Sequence, residues 1–492
     1  MSTTTADGLG GTGGPHALDR PHAPDALDRP GGVAAGPVGS PYQSYVYAYP
    51  HKTAYRPLPE RPTLRGLWQG EPQEALSLYA HIPFCEVRCG FCNLFTRIGA
   101  PEGMTDAYLD ALDRQAVSVR EALEPDARFA TAAFGGGTPT FLTAAELERL
   151  CDIAELRMGA SLADIPLSVE SSPSTATADR MAVLADRGAT RVSIGVQSFV
   201  DAEARAAVRP QRRAEVEAAL GHIRDARIPT LNIDLIYGID GQSEQSFDVS
   251  LDAALGWRPE ELYLYPLYVR PGTGLGRRGP DGAGGSGRAL GPSHAAGGSP
   301  HPEWDEHRLR LYRHGRDRLL AAGYRQASMR QFRRLDAPAT GEDDYACQTD
   351  GMVGLGCGAR SYTSRLHYSF GYAVAMPAIR SIIDTYVTAP DFTRAEVGRW
   401  MDAGEARRRH LLQSLLQADG MDLADYRRRF GTDPREDFPA ETRGFDDRGW
   451  LTTAAGGGRL QLTPEGLAHS DAIGPALFSP AVRTAMDSYE QR

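Results

Sequence analysis

Cys85, Cys89 and Cys92 fall within eight residues, in the run Cys85-Glu-Val-Arg-Cys89-Gly-Phe-Cys92. Thiolates are the ligands that iron–sulfur clusters use, and a short loop lets three sulfurs meet one cube. Three protein ligands leave the fourth iron of a [4Fe–4S] cluster open, and an open metal position can take a small molecule through its amine and carboxylate. A structural zinc site would need a fourth ligand, for which His81 is at hand. His81 belongs to the preceding strand, though, and is expected to point along another face. Inert core cysteines have no reason to adopt this spacing, so the cluster is the preferred reading. The scattered Cys151, Cys347 and Cys357 are expected to be small core residues.

A second motif, Gly135-Gly136-Gly137-Thr138-Pro139, also follows an apolar run. Glycines permit close backbone approach, so amides and carbonyls there can face a ligand such as the amino group of a cluster-bound methionine. Alone, this run could be no more than a tight turn. Three further apolar runs each carry one polar residue: Glu170, Gln197 and Asp234, with Arg209 in the loop after Gln197. Singly, each is as compatible with a cap or a core hydrogen bond as with function. Ionised groups are rarely buried without a partner, and these residues together favour a cofactor pocket.

The elements that must position these residues are short apolar strands alternating with amphipathic helices. Strands are expected at 76–82, 129–135, 166–170, 190–199, 230–238 and 261–269, and helices near 104–123, 144–157, 175–187, 213–226 and 244–256. Such alternation implies a parallel sheet with right-handed crossovers. Six strands are too few to close an eight-stranded barrel, so a partial barrel or open α/β sheet is expected, with ligands at the carboxyl ends of the strands.

Around this core, the Gly/Pro/Ala-rich residues 1–40 cannot bury enough apolar surface to order themselves and are expected to be disordered. The core domain then spans 41–270. A Gly-rich insertion follows at 271–300, a connecting region that completes the barrel at 301–395, and a C-terminal domain at 396–492. In that last part, a helical stretch from Glu405 to Ala418 and two short strands around a Gly-rich turn suggest a small winged-helix-like α+β domain. The formal net charge of −10 argues against nucleic acid as a partner. No apolar run is long enough to span a membrane and no secretory leader is evident, so a cytoplasmic location is the default expectation. Lys52 is the sole lysine among 53 basic residues. A GC-rich coding sequence accounts for the arginine bias.

These motifs carry a resemblance. LYAHIPFCEVRCGFC, GGGTPTF, SVESSP, GVQSF with Arg209 after it, and NIDLIYG resemble the oxygen-independent coproporphyrinogen III oxidase (HemN-like) family of radical S-adenosylmethionine (SAM) proteins. The likeness runs from Leu76 to Val269 and resumes at GLGCGARSY (354–362) and LQLTPEGLAHSDAI. It implies a partial (βα)6 radical SAM barrel in which Cys85, Cys89 and Cys92 ligate the [4Fe–4S] cluster. It also implies that Tyr79, Phe91, Gly136, Gly137, Thr138, Glu170, Gln197, Arg209 and Asp234 contact one or two molecules of SAM. The implied partners are a small-molecule substrate and a one-electron donor such as flavodoxin or ferredoxin.

Two departures stand against the family's named activities. The porphyrinogen oxidases carry a further cysteine where this chain has Leu94, and the haem-chaperone relatives carry a His-Asn stretch where it reads Tyr345-Ala-Cys347-Gln-Thr-Asp350. The expected function is therefore a radical SAM enzyme with an unidentified organic substrate. The alternatives are porphyrinogen oxidation, radical methylation or cyclopropanation, and non-enzymatic haem carriage.

Overall fold

Along Leu76–Ile82, Leu78, Ala80 and Ile82 alternate with Ser77, Tyr79 and His81, and the same two-residue period sorts every central strand into an apolar and a polar face. The computed structural model describes residues 39–270, 273–276, 301–338, 351–454 and 456–489. Six strands, β1 (Leu76–Ile82), β2 (Phe129–Gly136), β3 (Leu167–Ser171), β4 (Arg191–Gln197), β5 (Thr230–Tyr237) and β6 (Glu261–Pro266), are consecutive parallel neighbours. Each lies within two or three residues of its expected bounds.

The apolar face is covered by the crossover helices. Leu109, Leu112 and Ala116 of α1 (Met104–Ala122), Leu147 and Leu150 of α2 (Ala144–Asp152), and Met181 and Leu184 of α3 (Ala178–Asp186) share one core with Val169, Ile194 and Ile233 of the strands. A capping box between Thr143 and Glu146 starts α2. The helix expected through 157 changes to a π turn at Ile153–Arg157. A short helix not anticipated from the pattern, α4 (Asp201–Ala206), precedes α5 (Arg213–Asp225), and α6 (Glu244–Gly256) leads into β6.

The connecting region enlarges the sheet at both edges. β7 (Tyr324–Gln326) and β8 (Gln331–Arg334) add antiparallel beside β6, while β9 (Met352–Leu355) adds parallel beside β1. β10 (Arg360–Tyr362), β11 (Leu366–Ser369) and β12 (Val397–Trp400) then extend that edge, ending on Arg56–Pro57. The result is a 13-stranded sheet whose two edge strands differ, a partial rather than a closed barrel.

The C-terminal part has its own core of Leu411, Leu415, Met421, Leu460 and Ile473, which also takes in Tyr49 and Ala54 from the N-terminal segment. Helices Ala403–Leu415 and Leu423–Phe430 accompany an antiparallel hairpin of Leu451–Thr453 and Arg459–Leu462, the winged-helix-like arrangement expected. Among the described residues no helix is long and apolar enough to cross a membrane. The expected disordered segment falls outside the described residues up to position 38, as does the Gly-rich insertion apart from 273–276.

Candidate functional site

Pro83 ends β1, and the chain loops out through the three cysteines before returning to its own base. The loop is closed there by backbone bonds from Cys85 N to Arg97 O (3.0 Å) and from Arg97 N to Pro83 O (2.6 Å). Arg97 is buried and pairs with Asp384 at 3.2 Å. On one side, Gly90 N bonds Ala207 O at 3.1 Å, and Leu275 N bonds Gly90 O at 2.7 Å. On the other, the glycine turn continues the parallel ladder onto the loop, with Gly137 N to Ile82 O and Thr138 N to Phe84 O, both 2.8 Å.

These contacts bring polar groups onto the sulfurs. Thr138 Oγ1 lies 2.9 Å from Cys85 Sγ, and Arg209 Nη1 donates to Cys89 Sγ at 3.1 Å. Burial pushes the Cys92 thiol up to about 11, with the charges of Cys89 and Cys85 adding to the rise, and it raises Cys85 also. The raised pKa values of Cys85 and Cys92 favour their neutral thiols unless a cation compensates the charge. Iron does that outright, since a coordinating thiol is deprotonated by its metal.

Among the described residues no three His, Cys, Asp or Glu side chains enclose a point that one ion could occupy. His81 cannot complete a zinc site either. Its Nε2 lies 3.1 Å from the Phe95 carbonyl, to which it must donate, and its Nδ1 accepts from Tyr79 Oη at 3.2 Å. Burial lowers its pKa to about 4, so the ring is neutral.

Glycine is required at this turn by contact as much as by conformation. A Cβ on Gly136, whose φ is +121°, would lie 2.8 Å from the His81 ring, and one on Gly137 would lie 2.6 Å from both Phe84 O and Thr96 Oγ1. Gly137→Ala is therefore expected to push the turn off the cysteine loop and to lower the iron bound after anaerobic reconstitution. Iron content per chain, compared with the conservative control Thr131→Ser, measures this.

The polar face of the strands carries the remaining residues. Glu170 accepts from Gly136 N at 3.0 Å, so the third strand reaches the glycine turn. Burial raises its pKa, opposed by that bond and by Arg191. Asp234 accepts from Asn232 Nδ2 at 2.7 Å and lies level with Gly195 and Tyr263 in the sheet. Burial lifts its pKa to about 7 against the pull of Asn232 and Arg191. Gln197 takes a left-handed φ of 69° at a sheet irregularity, and its amide nitrogen folds back over Gly195. Arg209 also donates to Gly195 O, and it reaches Gln211 Oε1 at 2.5 Å. Phe91 packs against the small apolar group of Ala207, Ile236, Ile239 and Leu267.

The predicted residues fall into two connected sets. Thr138 and Arg209 touch the cysteine sulfurs, while Tyr79, Glu170, Gln197 and Asp234 line the polar face leading away from them. Cys151 and Cys357 are fully buried, as expected of core residues, while Cys347 and the Tyr345–Asp350 stretch lie outside the described residues. The sequence reading assigned no role to an aromatic wall on the same face. Tyr263 and Tyr265 stack at 5.8 Å, and Tyr45 meets Tyr265 edge-on at 6.2 Å and Tyr47 at 5.5 Å. Part of the signal was there in the spacing: Tyr263 and Tyr265 are two residues apart, the period of one strand face, whereas Tyr45 and Tyr47 lie in an irregular segment.

Comparison with known proteins agrees with this architecture. Residues 79–254 match the Radical SAM superfamily. The oxygen-independent coproporphyrinogen III oxidase of Salmonella typhimurium is 34% identical over 194 residues, which cover 39% of this chain and 42% of that protein. The protein of that name from Pseudomonas aeruginosa is 29% identical over 418 residues, covering 81% of this chain and 84% of its own length. The match thus spans about two fifths of the first relative and most of the second. The solved structure of the coproporphyrinogen III oxidase (HemN) from Escherichia coli superposes with a TM-score of 0.65 at 22% identity, over 87% of this chain and 92% of that one. The partial barrel and the loop of three cysteines thus sit in a chain that matches the Radical SAM superfamily over residues 79–254 and is similar over most of its length to HemN-like proteins.

Proposed function

We propose that Cys85, Cys89 and Cys92 hold a [4Fe–4S] cluster and that the chain uses it to cleave SAM reductively, acting on an organic substrate other than coproporphyrinogen. The observation that carries this is the pair of contacts on the sulfurs: Thr138 of the glycine turn on Cys85, and Arg209 on Cys89. They join the cysteine loop to the two strand ends where a cofactor would lie. Held by Cys85, Cys89 and Cys92, a reduced cluster would supply the one-electron reduction through which SAM is cleaved to methionine and deoxyadenosine.

The chain's own residues do the rest. Gly136, Gly137 and Thr138 present backbone to the methionine part, Glu170 and Asp234 accept from hydroxyl or amino groups, and Gln197 and Arg209 hold the far side. Tyr79, neutral because burial and Glu170 raise its pKa, orients through its hydroxyl, and Phe91 shields one edge. Whether one or two SAM molecules are held, and whether SAM serves as oxidant or methyl donor, follows from the products. A small-molecule substrate and a one-electron donor such as flavodoxin or ferredoxin complete the cycle.

Reduced, reconstituted protein is expected to convert SAM to 5′-deoxyadenosine, measured by chromatography. Absence of deoxyadenosine from a fully iron-loaded protein overturns the proposal. The relatives named above favour porphyrinogen oxidation as the second reading. Against it stands Leu94, which is 46% exposed and occupies the position of the oxidases' further cysteine. Anaerobic incubation with coproporphyrinogen III and SAM is expected to yield no protoporphyrinogen. A doubly decarboxylated product formed in step with SAM consumption restores the second reading.

A further inference from the structure

The aromatic wall ends at two cations that no carboxylate of the described residues neutralises. Lys52 Nζ lies 4.0 Å from the ring centre of Tyr372 and 6.0 Å from that of Tyr47, and the Arg360 guanidinium lies 4.8 Å from Tyr47 and 5.7 Å from Tyr362. Among the described residues, neither has an acidic group within ion-pair distance. Arg360 Nη1 is buried with no hydrogen-bond partner, and so is the hydroxyl of Tyr55, which is only 5% exposed and feels the Arg360 charge.

The neighbouring cation on the same wall shows the contrast. Arg330, stacked 3.9 Å from the Tyr45 ring, is paired with the buried Asp471. Lys52 and Arg360 are half-buried, and two like charges held side by side with one guanidinium nitrogen buried and unpartnered favour an anion brought from outside.

We propose that Lys52 and Arg360, with the hydroxyls of Tyr47 and Tyr55, form a binding site for an anionic group, carboxylate or phosphate, of the substrate. The positive field there is strong. Partial desolvation pushes the Tyr47 phenol up, although the residue is 41% exposed, yet Arg360 and Lys52 bring it below the ordinary value, so an oxyanion is favoured at that point. The site also adjoins the cofactor face, because the charge of Arg360 reaches both Tyr79 and His81. An anion held here places the body of the substrate along Tyr47 and Tyr45, toward Asp234. This rests on the function proposed above and adds the substrate's chemical class.

The composition supplies the test. Lys52 is the only lysine, so the full reconstituted chain grown with lysine 13C-labelled at Cε gives one side-chain resonance. It is titrated with inorganic phosphate and, separately, with succinate, against sodium chloride at matched ionic strength. A saturable shift with phosphate or succinate but not chloride is expected, and the more effective anion identifies the group as phosphate or carboxylate. Arg360→Gln is expected to weaken that affinity at least about tenfold, the loss of one charge-assisted hydrogen bond, with Arg360→Lys in between.

No saturable shift in the wild-type chain, the same shift with chloride, or undiminished affinity in Arg360→Gln overturns the site. The resonance is read without SAM turnover. A chain that titrates but forms no deoxyadenosine overturns the proposed function alone, and one that forms deoxyadenosine without titrating overturns the anion site alone.

Discussion

Replacing Cys85, Cys89 and Cys92 together with Ala is expected to take iron content from about four per chain, as a cubane requires, to near zero, and deoxyadenosine formation with it. The three side chains are partly exposed and contribute little to the core, and the loop that carries them is held by backbone bonds at Cys85, Gly90 and Arg97. The variant should therefore fold, and an unchanged circular dichroism spectrum checks that loss of iron is not loss of structure. Cys151 is fully buried on the inner face of α2, and Cys151→Ala is expected to keep full iron loading. Iron retained by the triple variant would refute the cluster assignment. Iron lost in Cys151→Ala with the fold intact would mean that the ligands had been misidentified.

The second large effect is on SAM affinity. Glu170→Ala removes the acceptor of Gly136 N and one proposed SAM contact, and Asp234→Asn removes a negative charge from the same face. Loss of one charge-assisted hydrogen bond costs roughly 1.5–3 kcal/mol, or about tenfold to a hundredfold in Kd. Equilibrium binding on cluster-loaded protein measures it, and unchanged affinity in both variants would show that SAM lies elsewhere.

The Asp234 contact also has a pH signature. Burial raises its pKa to about 7; Asn232 and Arg191 oppose the shift, Glu170 and Glu261 add to it, and Tyr45, Tyr263 and Tyr265 flank the group. If SAM is held by the ionised form, affinity rises as pH increases through about 7 and falls by up to about tenfold per unit below it. Asp234→Asn should flatten that dependence. Stability without SAM runs the other way. The folded state holds a proton that the unfolded chain, at the ordinary carboxylate value of 3.8, gives up. The contribution of Asp234 is thus fully present below about pH 4 and lost as pH rises through about 7, and denaturant titrations should show that slope vanish in Asp234→Asn.

How much of this was legible in the sequence depends on the range of the interactions involved. The strands from Leu76 to Pro266 and the helices between them were readable because each element's period is local: two residues for a half-buried strand, and three to four for a helix with one buried face. The cysteine loop and glycine turn were readable for a similar reason, since a cluster ligand set or a tight turn needs particular residue types at short spacing. The family resemblance added SAM as the implied second cofactor, which spacing alone does not supply.

β9 was not legible. Met352–Leu355 is a four-residue run whose strand character comes from pairing with β1, more than 250 residues earlier. Helix α4 escaped as well, because six residues are too few to show a period. His81, the possible zinc ligand of the sequence, was settled by where Phe95 and Tyr79 stand around its ring. The meaning of the lone lysine likewise came from tertiary structure. Lys52 and Arg360 are separated by 308 positions, and only tertiary packing brings both onto the Tyr47 ring with no acid of the described residues in ion-pair reach. Sequence determines which groups carry charge and which elements form. Which charges meet, and whether a counter-charge is within reach, depends on long-range packing that no local pattern encodes.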